Sequence, residues 1–462
     1  MQTLHTSFKM FLKEFQTSLR LLHNSVLSQV YCNHLDRFNH CQLEPCILYL
    51  NELTNLENLN KVANKLLTEH TSVESSQNFD FLINGSLFTD SDTLGAFIAE
   101  HPYPPVRNEN SFLRNIFSIE RVVEIDCVQH QPEPTPHQRV KQSEWVSDAQ
   151  ATRHLYVSNE IVLSACYDGT VSAWNYEGER LSFVKCSDRS LKALSVIPDK
   201  SSADVVKFAA GSSDQTILIG AFHYDYNEFI ISKIGIGHEE SVECVAASSD
   251  GSKLASGGTD SYLKIWDIAN ISLNFENDPN EQRVASRTHS RNKITPMFTL
   301  AGHRDQVVGV CWKSPTEVVT ASWDHSIHVW NVEYLERVRA LSGDCCFTDV
   351  AYSPLNHLLL STCSDKSVRM WDVRSTEGSM VKAFFNSHSK WASSVDWSKT
   401  NSNLFLSSDF AGLLKLWDIR NTKSPLYDMK TCAKRILCCD YSNPEYLVGG
   451  GTDGCLTMFK AM

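Results

Sequence analysis

The chain has 462 residues, of which 42% are hydrophobic and 21% are charged. These values are ordinary for a globular protein, and they exclude a disordered chain, a collagen-like fibre and a small disulfide scaffold. The formal net charge of −12 gives no overall attraction to nucleic acid, so any contact with RNA must be local or made through partners. No apolar run approaches the ~18 residues of a membrane-spanning helix, so we expect no membrane association.

Residues 1–43 have the periodicity of an amphipathic helix. Apolar side chains recur there at alternating spacings of four and three: Phe8, Leu12, Phe15, Leu19, Leu22 and Val26. The segment is basic and poor in acids, which is typical of a mitochondrial presequence but also of a packed or partner-binding helix. We therefore assign residues 1–43 to a divergent N-terminal extension with helical periodicity.

The fifteen cysteines are dispersed along the chain and include no CxxC motif. In a chain of this length the pattern predicts reduced, mostly buried thiols in the cytosol or nucleus. One N-terminal cluster has the chemistry of a zinc site, although its spacing matches no common ligand pattern. It contains Cys32, His34, His40, Cys41 and Cys46.

Residues 44–129 predict a small α+β domain of ubiquitin-like character, with the order strand, helix, hairpin and strand. The signals are a strand over 45–50, a helix face at Leu56, Leu59, Ala63 and Leu66, an alternating strand over 79–83, the hairpin dipeptide Asn84-Gly85, and a last strand over 122–128. Residues 130–144 follow as a proline-containing linker. Its segment 138–142 is a candidate closing strand for the repeat that comes next.

A pattern with a period of roughly forty residues fills residues 145–462. Each unit has an apolar strand, a tight turn that usually carries Asp, and a second strand that usually ends in an aromatic residue. The turn positions are 168, 214, 260, 324, 365, 411 and 453. Seven such units predict a mainly β fold, a seven-bladed β-propeller. One long step between units marks an inserted polar loop at about 275–297.

The Gly-His pairs at 237–238 and 302–303 and the Trp-Asp pairs at 266–267, 371–372 and 417–418 resemble those of the WD-repeat family. The resemblance implies that His, Ser or Thr, the turn Asp and Trp form a buried hydrogen-bonded set in each unit. Two sets are complete: His238, Ser256, Asp260 and Trp266, and His303, Thr320, Asp324 and Trp330. Others are incomplete, since Asp344 takes the His position of unit five and Ala411 takes the Asp position of unit six.

Ser, His and Asp in one unit also suit a hydrolase. A catalytic triad occurs once in a chain, however, whereas this constellation recurs where the repeat needs buried polar groups to be hydrogen-bonded. The sequence contains no GxSxG, P-loop or HExxH motif. We therefore predict that the protein is not an enzyme and has no catalytic residue, no cofactor and no small-molecule substrate.

Four segments are similar to those of WD-repeat ribosome-biogenesis factors that carry a ubiquitin-like domain, called the NLE domain, before a seven-bladed propeller. They are FDFLINGSLF, SIERVVEIDCVQHQPEPTP, TASWDHSIHVWNVE and LKLWDIRNTKSPLYDM. The resemblance covers residues 44–462. It implies a non-enzymatic assembly factor for the large (60S) ribosomal subunit, needed for processing of the large-subunit and 5.8S rRNA precursors, in the nucleolus and nucleoplasm.

The resemblance also implies partners. The propeller would dock on the block-of-proliferation WD-repeat protein in a complex with Pescadillo, on the pre-60S ribonucleoprotein. The ubiquitin-like domain would be engaged by the midasin ATPase, whose bound Mg²⁺ takes one carboxylate ligand from it in trans. The matching residue is Glu120, ahead of the last strand of the domain, and Glu109 is the nearest alternative.

Two further features leave alternatives open. The tetrapeptides at 371–374 and 417–420 match the WDxR signature of substrate receptors of cullin ubiquitin ligases, but they also occur in many other propellers. Trp323 and Trp391 suit either exposed anchors for a partner or packing between blades.

Overall fold

The computed structural model describes residues 27–33, 46–51, 55–70, 79–83, 86–88, 94, 122–129, 131–152, 160–199, 204–269, 271, 293–374, 381–431 and 434–461. These residues belong to two units, Met1–Gln131 and Pro132–Met462. No helix in the described ranges is long and apolar enough to cross a membrane.

The first unit contains a five-stranded mixed sheet and one described helix. Its elements are β1 (Leu27–Asn33), β2 (Cys46–Asn51), α1 (Leu56–His70), β3 (Phe79–Ile83), β4 (Ser86–Leu87) and β5 (Val122–Gln129). The strand order is β2-β1-β5-β3-β4. The central pair, β1 and β5, is parallel, whereas the β1–β2, β3–β4 and β3–β5 pairs are antiparallel.

The start of helix α1 and its buried face are explained by its sequence. Asn55 caps its first turn, because the Asn55 side-chain oxygen accepts the backbone N–H of Asn58 at 3.1 Å. Leu59 and Ala63 lie four residues apart on one helix face, and both are buried. The helix packs against β3, where Phe81 is buried as well.

The proposed boundary at residue 43 is wrong for the sheet. Strand β1 lies inside the segment 1–43, and it pairs with both β2 and β5. The helical spacing of apolar residues 8–26 dominated the sequence signal, while the apolar residues of LSQVYCN do not alternate in the regular way that marks a half-buried strand. The predicted N-terminal helix lies outside the described residues.

The second unit consists of seven β-sheets and confirms the predicted seven-bladed propeller. The strands in chain order are β6 (Thr135–Lys141), which joins the last blade; β7 (Val146–Thr152), β8 (Ile161–Cys166), β9 (Thr170–Trp174) and β10 (Arg180–Lys185) in blade one; β11 (Leu191–Ile197), β12 (Val205–Ser212), β13 (Thr216–His223) and β14 (Glu228–Ile236) in blade two; β15 (Val242–Ala247), β16 (Lys253–Gly258) and β17 (Leu263–Asp267) in blade three; β18 (Lys293–Ile294), an addition to blade two; and β19 (Phe298–Leu300), which completes blade three.

The remaining blades repeat the same four-stranded meander. Their strands are β20 (Val307–Ser314), β21 (Glu317–Ser322), β22 (Ser326–Asn331) and β23 (Glu336–Ser342) in blade four; β24 (Phe347–Tyr352), β25 (Leu359–Cys363), β26 (Val368–Trp371) and β27 (Val381–Phe385) in blade five; β28 (Ala392–Trp397), β29 (Leu404–Asp409), β30 (Leu413–Asp418) and β31 (Tyr427–Lys430) in blade six; and β32 (Ile436–Asp440), β33 (Tyr446–Gly451) and β34 (Cys455–Lys460) in blade seven.

Strand β6 closes the ring. It pairs antiparallel with β34, so that blade seven takes its outer strand from the chain segment that precedes blade one. Val140 lies opposite Leu456 and is buried, and Arg139 forms an ion pair of 2.7 Å with Asp453. The closing strand overlaps the segment 138–142 that the sequence marked as a candidate.

The inserted loop at about 275–297 is described only at its C-terminal end. Residues 293–294 form β18, which pairs in parallel with β14 at the outer edge of blade two. The chain then enters β19, the outer strand of blade three. Blade two therefore has a fifth strand, which repeat periodicity alone does not predict.

Candidate functional site

Blade three contains a complete buried polar set. His238 bonds through Nδ1 to Asp260 Oδ2 at 2.8 Å and through Nε2 to Ser256 Oγ at 2.7 Å. The Trp266 indole N–H donates to the same Ser256 Oγ at 2.9 Å. Asp260 also accepts the backbone N–H of Glu239 at 3.1 Å, so the set ties the loop before the first strand to the turn after the second.

Blade four repeats this geometry. His303 Nδ1 lies 2.9 Å from Asp324 Oδ2, and its Nε2 lies 2.7 Å from Thr320 Oγ1, which accepts the Trp330 indole N–H at 2.8 Å. Burial opposes ionisation of Asp324, but hydrogen bonds from Ser326, the Arg304 backbone and His303 outweigh it and lower the pKa of Asp324 to about 2.

Blade six contains a third complete set, which corrects the sequence analysis. Ala411 occupies the usual Asp position, but Asp409 accepts from His388 at 3.1 Å, and His388 Nε2 lies 2.8 Å from Ser407 Oγ. The Trp417 indole N–H donates to Ser407 at 2.9 Å. Asp409 is the last residue of β29 rather than a turn residue, and it stands two residues before the usual Asp position, so the fixed spacing of the repeat did not assign it to the set.

Blade five replaces the histidine with an arginine. The buried Arg369 guanidinium donates to Asp344 at 2.6 Å and to Asp365 at 2.5 Å. Trp371 still donates to Ser361 at 2.8 Å. Asp344 at the usual His position therefore does not mean that the polar set of blade five is missing. It is part of a different set, in which Arg369 binds two carboxylates.

The hydrogen bonds of these polar sets stabilise the blades and do not form a catalytic triad. In blades three, four and six, both histidine nitrogens have partners, and each Ser or Thr hydroxyl binds both histidine and tryptophan. Three copies of the same network in one ring hold loops in place and leave no hydroxyl poised for attack.

A second polar pattern joins neighbouring blades, and the sequence analysis did not identify it. Carboxylates of the innermost strands accept backbone N–H groups of the next blade: Asp148 from Leu194 at 2.7 Å, Asp349 from Val395 at 3.1 Å, Asp396 from Tyr441 at 2.9 Å, and Asp440 from Ala151 at 3.0 Å. The last bond crosses the ring closure. The sequence signal that could have indicated these bonds is an Asp within the otherwise apolar first strand of four units.

Burial raises the pKa of these inner carboxylates. The pKa of Asp148 rises to about 8 and that of Asp349 to about 6, although both accept hydrogen bonds that favour ionisation. Burial and the nearby charge of Asp396 also raise the pKa of Asp440. The acidic chain thus holds some of its carboxyl groups where the neutral form is favoured.

One face of the propeller presents a ring of loop residues. In every blade the residue before the turn position donates its backbone N–H to the carbonyl of the residue just before the first strand. The seven donor–acceptor pairs, at 2.9–3.1 Å, are Tyr167–Trp145, Ser213–Ser190, Thr259–Ser241, Trp323–Gln306, Ser364–Cys346, Phe410–Trp391 and Thr452–Arg435. The repeated bond places these fourteen residues at equivalent sites around the ring.

Aromatic residues occupy ring positions of blades six, one and four, and Arg435 of blade seven lies between those of blades six and one. We call Trp391, Phe410, Arg435, Trp145 and Tyr167 the aromatic arc. Trp391 and Phe410 stack at 6.3 Å between ring centroids, Arg435 lies 5.6 Å from the Phe410 centroid, and Trp145 lies 5.4 Å from Tyr167. Trp391 is 44% exposed and Trp145 is 42% exposed.

The ring positions of blades two and three are small and polar, because all four are serine or threonine. Trp323 of blade four is exposed but stands apart from the arc in the order of blades. The ring is therefore polarised, and its aromatic part has the residue types that dominate protein–protein contact energies.

Both WDxR arginines bind their own tetrapeptide. Arg374 donates to Asp372 through Nε at 3.1 Å and through Nη2 at 3.2 Å. Arg420 binds Asp418 in the same two-pronged way, with the shorter contact at 2.5 Å. These contacts give the signature a role inside the blade that does not require a ligase partner.

Several predicted site residues lie outside the described residues: Glu120, Glu109, His34, His40 and Cys41. Of the N-terminal cysteine and histidine cluster, Cys32 and Cys46 lie opposite each other in the β1–β2 pair. Glu120 stands two residues before the start of β5.

Comparison with known proteins identifies the family. The model of the WD domain, G-beta repeat, matches residues 231–267, 294–331 and 335–372. The chain is 31% identical over 404 residues to "Ribosome biogenesis protein WDR12 homolog" of Culex quinquefasciatus, which covers 87% of this chain and 88% of that protein. The homologue of Brugia malayi is 33% identical over 413 residues, covering 88% and 89%. The chain belongs to this family of non-catalytic WD-repeat ribosome biogenesis proteins.

Proposed function

We propose that this chain is a non-enzymatic assembly factor for the large ribosomal subunit, needed for processing of the large-subunit and 5.8S rRNA precursors in the nucleolus and nucleoplasm. The observation that carries this proposal is the extent of the similarity. The 404-residue match is longer than the whole propeller unit, so it also includes part of the N-terminal unit. The relatives that match over this length carry the name ribosome biogenesis protein.

The first unit is, in this proposal, a ubiquitin-like domain. The mixed sheet with a parallel central pair, one antiparallel hairpin on each side and a helix between β2 and β3 supports it. The sheet includes β1, so the opening hairpin that the sequence did not reveal is present in the described strands.

The propeller acts as the docking module for the block-of-proliferation protein in its complex with Pescadillo. We assign the contact to the aromatic arc, because Trp, Tyr and Arg are the side chains that most often carry binding energy. The arc also has exposed cations beside it, Lys390 and Lys434, in a chain of net charge −12. An apolar and acidic surface on the partner propeller would complement it.

Replacing Trp391 and Arg435 tests this docking surface. The pair Trp391→Ala and Arg435→Glu is expected to weaken binding to the block-of-proliferation propeller at least about thirtyfold, since a central Trp anchor contributes ~2 kcal/mol or more. Titration calorimetry with the purified propellers measures the loss. Leu355→Ala is the matched control, because Leu355 is 49% exposed in the loop between β24 and β25, at the opposite end of its blade from the ring.

Equal affinity of the arc variant and of Leu355→Ala for the block-of-proliferation propeller would contradict the assignment of the aromatic arc as the docking surface. Thermal unfolding of both variants, compared with the unchanged chain, separates lost contact from lost fold. Purification of the native protein with a cullin adaptor and without Pescadillo would instead favour the ligase-receptor alternative.

Release from the pre-60S particle depends, in this proposal, on Glu120 and the midasin ATPase. Mg²⁺ prefers oxygen ligands, and a single carboxylate from a second protein can fill one open position of the ion. The ATPase would then transmit force to the first unit and extract the factor from the particle.

Glu120→Ala is expected to abolish Mg²⁺-dependent binding to midasin while assembly with Pescadillo stays intact. In cells depleted of the unchanged protein, the variant should accumulate on pre-60S particles, with precursors of the 25S/28S and 5.8S rRNAs. Glu109→Ala serves as the parallel variant, and its loss of binding in place of Glu120→Ala would move the ligand to that position. Normal large-subunit maturation after depletion would contradict the whole proposal.

A further inference from the structure

Blade five holds two cysteines beside its unusual ion-paired set. The Sγ atoms of Cys345 and Cys363 and a carboxylate oxygen of Asp365 all lie within 4.8 Å of one another. The backbones support this proximity, because Phe347 pairs with Cys363 across β24 and β25, and Ser364 donates to the Cys346 carbonyl at 3.0 Å. The two sulfur atoms therefore approach each other between segments fixed by the sheet.

Arg369 sets the charge of this cluster. Its Nη2 donates to the sulfur of Cys345 at 3.2 Å, in addition to its bonds to Asp344 and Asp365. The guanidinium is buried and already binds Cys345 and Asp365, two of the three groups that a metal ion would need as ligands. This contact favours a thiolate that is stabilised by an arginine over a metal centre.

The two sulfur atoms differ in environment. Cys345 is partly exposed, and a hydrogen bond from Cys363 and the charge of Arg369 lower its pKa despite partial burial. Cys363 is fully buried, and its interaction with Cys345 together with burial raises the pKa of its thiol. By contrast, burial raises the pKa of Cys311 and Cys438 in the strands of other blades.

We propose that Cys345 and Cys363 form a redox-active dithiol in blade five, with Cys345 as the sulfur that reacts with hydroperoxides and Cys363 as the sulfur that resolves the product into a disulfide. An accessible thiolate beside a cation and a second thiol within reach are the two requirements of such a pair. The site exists because blade five has Asp344 and Arg369 in place of the usual histidine network.

The chemistry balances with hydrogen peroxide as oxidant. The Cys345 thiolate attacks one peroxide oxygen, the O–O bond breaks, and the departing hydroxide takes a proton to become water. The sulfur of Cys363 then attacks the resulting sulfenic acid at Cys345. An S–S bond forms, the S–O bond breaks, and the second hydroxide leaves as water with the proton of Cys363. The two thiols together lose two electrons, and these electrons reduce one hydrogen peroxide to two waters.

Peptide mass spectrometry of the full-length protein tests this assignment. After treatment with hydrogen peroxide and alkylation, we expect a linked pair of peptides that contain Cys345 and Cys363, with the loss of two hydrogen atoms and reversal by dithiothreitol. Before oxidation, iodoacetamide should modify Cys345 at least about tenfold faster than Cys346 at neutral pH, because Arg369 contacts the sulfur of Cys345 and stabilises its thiolate.

Three variants complete the experiment. Cys345→Ser should abolish the linked pair and leave Cys363 as a thiol, whereas Cys346→Ser, at the adjacent residue, should form the pair at the unchanged rate. Arg369→Lys keeps a positive charge but loses the forked donor, so it should shift the pH profile of Cys345 alkylation upward. Circular dichroism verifies that each variant is folded.

Two outcomes would overturn the proposal. One is oxidation of Cys345 to the sulfinic acid with Cys363 still reduced, which would show that the second thiol cannot reach the first. The other is equal alkylation rates at Cys345 and Cys346 in the folded protein, which would show that Arg369 gives Cys345 no special reactivity.

Discussion

A chain that begins at residue 143 is expected to lose the cooperative fold of the propeller, whereas a chain that begins at residue 131 is expected to keep it. The two differ only by the linker and β6, which supplies the outer strand of blade seven. Without β6, blade seven loses its outer strand, and the ring is closed only by contacts between the inner strands of blades seven and one, such as the bond from Ala151 to Asp440.

The cost of this deletion comes from several contacts. Strand β6 pairs along β34 from Thr135 opposite Lys460 to Lys141 opposite Cys455. Val140 joins the core shared by blades seven and one, and the Gln142 side chain donates to the Ser164 hydroxyl at 2.7 Å. Losing these together removes several kcal/mol, which is comparable with the whole stability of many domains at about 5–15 kcal/mol.

The deletion also exposes the edge of β34. That strand carries Leu456, Met458 and Phe459, and an unpaired apolar edge is a template for association with other chains. Calorimetry and size-exclusion chromatography should show a broad or absent unfolding transition and soluble aggregates for the shorter chain. A sharp transition and a monomeric peak for both chains would mean that the closing strand contributes little.

The period of the repeat made most of the propeller predictable. Each turn Asp and each strand-end Trp forms its hydrogen bonds within a single blade, so the spacing between the two residues is nearly constant in the sequence. Asp409 shows the limit of such reasoning, because its carboxylate reaches His388 from the end of a strand rather than from the turn. The polar contact is what the fold requires, and more than one backbone position can supply it.

Contacts between segments that lie far apart in the chain were less predictable. Strand β1 is recognisable by its pairing with β5, a strand almost one hundred positions away, and not by its own composition. The inner carboxylates, such as Asp148, accept a backbone N–H from the next blade, and no local pattern specifies that partner. The redox-active pair depends likewise on Arg369, whose side chain reaches a loop more than twenty positions earlier.

Acidification is expected to destabilise the propeller through a histidine pair in blade four. The rings of His303 and His328 stack at 3.9 Å between centroids, and His328 is 3% exposed. Arg337 lies 3.3 Å from His328 Nε2, and an arginine can only donate, so this nitrogen is the acceptor and the ring is neutral. Protonation would place a second cation beside Arg337 in a buried site.

Burial first, and then the charges of His303 and Arg337, lower the pKa of His328 from its ordinary value of 6.5 to about 4. Since the pKa in the folded state is below that of the unfolded chain, the neutral ring contributes stability that is fully present above pH 6.5. That stability is lost as the pH falls toward 4, by up to about 3 kcal/mol in the free energy of unfolding. The lowered pKa of His303 acts in the same direction.

Denaturant unfolding at a series of pH values measures this loss. His328→Phe keeps a stacked ring but cannot bind a proton, so its free energy of unfolding should fall less between roughly pH 6.5 and 4 than that of the unchanged chain. His325→Asn is the matched control: His325 is exposed in a turn of the same blade, and asparagine tolerates its left-handed φ of 67°. All other groups titrate in each protein, so the difference between variants in the pH dependence of the free energy of unfolding reports on the buried His328 ring alone. Parallel pH profiles for His328→Phe and the unchanged chain would show that this ring does not cause the acid sensitivity.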